Sequence, residues 1–92
     1  MTKNNIHWTG RSNEDFRYSV AFDFASQVED RLKLIGWSQD RLASEIGVSK
    51  GRVSQLLNNP GNLTLNTMVT MVRSLGMKLS VVPYDDSDPV NV

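Results

Sequence analysis

Lys50, Arg52, Ser54 and Gln55 sit close together in the stretch IGVSKGRVSQLL, residues 46–57, with no acid among them. The same stretch keeps Val53, Leu56 and Leu57 at helical spacing for a core, so the polar side chains belong to another face. Ammonium, guanidinium, hydroxyl and carboxamide groups on one helix face match a partner rich in hydrogen-bond acceptors, such as phosphate oxygens and base edges. The charge distribution agrees. Net charge is +0 over the whole chain, yet residues 46–84 hold only Lys50, Arg52, Arg73 and Lys78 and no acid at all. The acids lie before that block, ending at Glu45, or after it at Asp85, Asp86 and Asp88. A basic block inside a neutral chain is compatible with a polyanionic partner.

Other chemistries find little support. There is no cysteine, which excludes disulfides, thiolate metal sites and thiol nucleophiles. His7 is the single histidine and has neither a nucleophile nor an orienting carboxylate near it in sequence. Asp85, Asp86 and Asp88 lack the glycine turn and the later bidentate glutamate of a calcium loop, so they read as a solvated tail. No enzyme, cofactor or metal site is expected. No apolar run approaches the ~20 residues that span a bilayer, and MTKNNIHWTG has no apolar leader core. The expected compartment is the cytoplasm.

The elements that must position the donors follow from periodicity. Residues 1–12 are a polar arm; Lys3 and Arg11 on it either enter a minor groove or belong to a disordered terminus, and Trp8 either anchors the arm or does nothing. From Asn13, Phe16, Val20, Phe24, Val28 and Leu32 recur every four residues, with Ala21, Ala25 and Ile35 beside them, predicting a helix over 13–35 capped by Ser12 and stopped by Gly36. Tyr18 and Phe22 lie off that stripe and are free to face a partner. Ser38 caps a short helix with Leu42, Ala43 and Ile46 inward, and Trp37 packs between the first two helices. Gly47 breaks the second helix and Ser49 caps a third over about 50–58. NNPGN is a loop, and Thr64 caps a fourth helix whose buried face is expected at Leu65, Met68, Val69, Val72 and Leu75.

Beyond Gly76 the period falls to two: Met77, Leu79 and Val81 alternate with Lys78 and Ser80 until Pro83. A single strand, 77–83, cannot satisfy its own backbone. It implies pairing with the same strand of a second copy, a homodimer made through Met77, Leu79 and Val81.

Two short helices joined by a glycine turn make a helix-turn-helix. WSQDRLASEIGVSKGRVSQLLNNPGNLTLNTMVTMVRSLG resembles the Cro and phage-repressor (XRE-type) family over about residues 20–76, and NNPGNLTLNTMVTMVRSLGMKLSVV is similar within it to HipB-type antitoxins. The resemblance implies an all-α, lambda-repressor-like bundle of four to five helices, residues 13–84, with the C-terminal strand pairing across a dimer and an acidic tail at 85–92. Small Ala43 at the helix crossing, Gly47 at the turn, and Val48, Val53 and Leu56 beneath it are what such a motif requires.

Carried onto this chain, the family pattern puts Lys50, Gly51 and Gln55 at base-facing positions. Lys50 would donate to guanine O6 or N7, and Gln55 would bond both edges of adenine. Gly51 departs from the pattern, offering no side chain where the family often reads a base; Arg52 and Ser54 take over part of that reading or bind phosphate. Gln39 resembles the residue that bonds a phosphate while bracing the third helix. Ser49 begins that helix, and Asn58 and Asn59 follow it as backbone contacts. The implied function is a dimeric repressor on a near-palindromic double-stranded operator, with recognition helices about 34 Å apart, plausibly an autoregulating antitoxin. The competing reading is a protein-interaction module that mainly holds a toxin, with DNA binding secondary.

Overall fold

The structure, a computed structural model, describes residues 12–85. Four α-helices, α1 Asn13–Ile35, α2 Gln39–Ile46, α3 Lys50–Asn58 and α4 Leu65–Ser74, follow one another, with a 3-10 turn at Pro60–Asn62 between α3 and α4. The fold is all-α. Each α-helix begins where a hydroxyl side chain takes up an otherwise unpaired amide: Ser12 from Asp15, Ser38 from Arg41, Ser49 from Arg52 and Thr64 from Thr67. At α1 the cap is reciprocal, because the Asp15 carboxylate accepts from the Ser12 amide at 3.2 Å. Gly36 and Gly47 end α1 and α2 at φ of 76° and 78°, a left-handed conformation that costs other residues energy.

One core joins all four helices: Phe24, Val28 and Leu32 from α1, Leu42 and Ala43 from α2, Val53, Leu56 and Leu57 from α3, and Met71 and Val72 from α4, with Leu75. Trp37 and Ile46 pack against it partly buried, and the Arg41 guanidinium lies 4.4 Å above the Trp37 ring.

Two of the expected faces are rotated. Val20 is 63% exposed although it belongs to the four-residue stripe of α1. Each four-residue step overshoots a turn of about 3.6 residues by roughly 40°, so the stripe winds off the core toward the start of the helix. In α4, Leu65 and Val69 are exposed, while Met71, absent from the expected face, is fully buried. At about 100° per residue the apolar residues of α4 span a sector of about 160°, wider than the core covers. The core takes the sector of Met68, Met71, Val72 and Leu75 and leaves Leu65 and Val69 on its flank.

Gly76 at φ 77° turns the chain away from α4, and Arg31 Nε holds the Leu75 carbonyl at 3.0 Å. After the turn, Met77 and Leu79 are half-buried against the core while Lys78 and Ser80 are exposed, an alternation of period two. Val81, at 76%, Val82 and Tyr84 are exposed. Among the described residues there is no β-strand. Ladder hydrogen bonds need a second strand, which the described residues of a single copy do not supply. Lys3, His7, Trp8 and Arg11 of the arm, and Asp86 and Asp88 of the tail, lie outside the described residues.

Candidate nucleic-acid interface

The α2–turn–α3 unit is built around its smallest buried side chain. Ala43 is 3% exposed at the packing of α2 on α3, with Leu42 and Val53 fully buried beside it. The Gly47 and Val48 amides both donate to the Ala43 carbonyl, which closes the turn. Val48 is 38% exposed, so it covers the turn only partly. The cap at Ser49 starts α3 directly after the turn and contributes about 1 kcal/mol. With Val53, Leu56 and Leu57 locked inward, the direction of the opposite face is fixed.

That face carries the predicted donors. Lys50, Gly51, Arg52, Gln55, Asn58 and Asn59 are exposed, as is Ser49, and Ser54 is half-buried. Several are preset by one another. Arg52 Nη1 donates to Gln55 Oε1 at 3.3 Å, and Asn58 Nδ2 donates to Ser54 Oγ at 3.0 Å. A Cβ added at Gly51 would meet only Ser49 Oγ, at 3.9 Å. No neighbour among the described residues requires glycine there.

Gln39, expected to brace the third helix, is half-buried at the start of α2. Its neighbour Asp40 reaches α3, its carboxylate 3.8 Å from Lys50 Nζ. Asp40 lies in the first turn of α2, and it pairs with Lys50 because the first turns of α2 and α3 converge across the glycine turn. Arg41 pairs with Glu45 at 3.1 Å along α2, so that acid is also matched by a base.

Two further contacts were not anticipated. Arg17 Nη1 donates to the Gly61 carbonyl at 3.2 Å, and the Tyr18 ring lies against Gly61. They join the start of α1 to the turn that follows α3.

A face of donors, fixed by a buried opposite side and flanked by exposed amides, can bond phosphates along its edges and base edges at its centre. Among the described residues, no helix is long and apolar enough to cross a membrane.

Comparison with known proteins agrees with this geometry. A helix-turn-helix family model matches residues 28–82. Antitoxin HipB of Escherichia coli K12 is 31% identical, the match covering 70% of this chain and 77% of that protein. Antitoxin HipB of Escherichia coli O6:H1 strain CFT073 is 29% identical, over 70% of this chain and 72% of its own. No solved structure matches the chain significantly.

Proposed function

This chain belongs to the helix-turn-helix family, and from that membership we propose that it is a sequence-specific regulator of transcription binding double-stranded DNA. The observation that carries the proposal is the division of α3: an apolar side sealed in the core and an outer side exposing Lys50, Gly51, Arg52 and Gln55. In this reading Lys50 donates to guanine and Gln55 bonds adenine in the major groove. Gln39, Ser49, Asn58 and Asn59 hold the flanking backbone, and Arg52 and Ser54 divide between bases and phosphates. Two copies, joined by residues 77–83 as paired strands, present two α3 helices about 34 Å apart to a near-palindromic operator. Repression then follows from occupying the promoter. Cytoplasmic residence fits such a task.

The relatives named antitoxins support a finer proposal: this chain is an antitoxin that represses its own operon and binds a toxin protein. A second reading, in which holding that protein is the main task, draws on the exposed apolar side chains Val20, Phe22, Leu65 and Val81. Selection from random duplexes followed by sequencing tests the first reading. A recovered two-fold symmetric site supports it. No enrichment at modest ionic strength, together with stoichiometric capture of a protein partner, sinks it in favour of the second.

A further inference from the structure

We infer that Arg17 and Tyr18 are positioning residues for DNA binding, acting by fixing the turn that leaves α3. The inference rests on α3 being the DNA-facing helix. The family match begins at residue 28, whereas α1 begins at Asn13, so the first turns of α1 lie before the matched segment. Those turns do not lie over the centre of the core, as the exposure of Val20 shows. They reach the 3-10 turn instead.

The contact has three parts. Arg17 Nη1 holds the Gly61 carbonyl at 3.2 Å. The same guanidinium sits 5.4 Å above the Tyr18 ring, and Arg17 Nη2 lies 3.7 Å from Glu14, which together restrain its position. The Tyr18 ring closes on Gly61 so tightly that a Cβ there would stand 3.0 Å from the hydroxyl oxygen and 3.1 Å from Cε1. From the other side the turn is anchored by Pro60, which is fully buried.

Asn58 and Asn59 stand directly before this turn, exposed at the end of α3. A side-chain hydrogen bond to a phosphate is made only within about 2.7–3.2 Å, so a turn free to shift by an ångström loses it. The core does not rest on Arg17, which is largely exposed, because α1 is fixed to it farther along by Phe24, Val28 and Leu32. The half-buried Tyr18 ring contributes to stability as well as placing the backbone-contacting residues, so binding and melting are read side by side.

The test uses the full chain with Tyr18→Ala, Arg17→Ala and Gly61→Ala, and Tyr18→Phe as the variant that keeps the ring. Affinity for the selected duplex and for a random duplex is measured beside phosphate ethylation interference and thermal melting. Tyr18→Ala and Gly61→Ala are expected to weaken both duplexes about tenfold for each half-site, as loss of one or two hydrogen bonds per protomer predicts. Interference should disappear at the outer phosphates of each half-site, with the preferred sequence unchanged and Tyr18→Phe at wild-type affinity. Unchanged affinity in Tyr18→Ala and Gly61→Ala overturns the inference while leaving DNA binding intact. So does an unchanged interference pattern in which weaker binding follows only the fall in folded fraction. A wild-type chain that binds no duplex overturns the reading of α3 itself.

Discussion

Replacing Lys50 and Gln55 together by alanine removes the two side chains assigned to base edges while leaving the fold intact. Both are exposed on α3, so folding stability should change by about 0.5 kcal/mol or less. Each good side-chain pairing with a base edge contributes about 1–3 kcal/mol of discrimination, which gives about 2–6 kcal/mol for each protomer on its half-site. Lys50 is not free before binding, because Asp40 stands 3.8 Å from it. That pair is more than half exposed on both sides, so giving it up on binding costs only about 0.5 kcal/mol. Gln55 loses a bond to Arg52 of similar small worth. On random DNA the Lys50 charge can reach only phosphate, and its removal should cost about 1 kcal/mol and lower the salt slope by roughly one per protomer. Titrations of selected and random duplexes across a salt series measure both quantities. Equal losses on the two duplexes would show that these side chains hold the backbone and do not choose bases.

The remaining expectations concern assembly, close approach and the core. Val81→Pro removes a ladder donor from the proposed paired strand; sedimentation should shift toward monomer and operator binding should fall, whereas an intact dimer would remove that strand as the interface. Val81 is a cleaner probe than Leu79, which packs against the core of its own copy. Gly51→Ala should raise folding stability by up to about 1 kcal/mol, since nothing among the described residues opposes a Cβ. Yet it should weaken DNA binding about fivefold if the backbone nears the groove, and unimpaired binding would refute that approach. Met71→Ala should cost about 2–5 kcal/mol in urea denaturation, because Met71 is fully buried; a loss under 1 kcal/mol would contradict its place in the core.

Helix limits were legible because local chemistry writes them. A hydroxyl cap and a left-handed glycine act within a few residues, so Ser12 with Gly36, and Ser38 with Gly47, could be placed without knowing what packs where. The donor face was legible for a related reason, since the apolar residues of α3 leave only one side for the rest. Rotation about each axis was less legible. Val20 and Leu65 look like core by spacing, but which sector is buried depends on neighbours far along the chain. The same holds for the Asp40–Lys50 pair and for Arg17 on Gly61, 44 residues away. Neither contact has a sequence signature, because both arise from where finished helices meet.

On the proposed reading of α3, the tie from Arg52 to Gln55 would affect how quickly a duplex can be sampled. A carboxamide already steadied by its neighbour sheds fewer rotamers on contact, and part of the ordering cost of up to about 1.5–2 kcal/mol is met before any encounter. Gln55 Oε1 keeps a second lone pair and its amide hydrogens remain available, so the group stays competent to bond while it is held. A protein so arranged can test each site it slides past with little rearrangement, and it can abandon the wrong ones as readily.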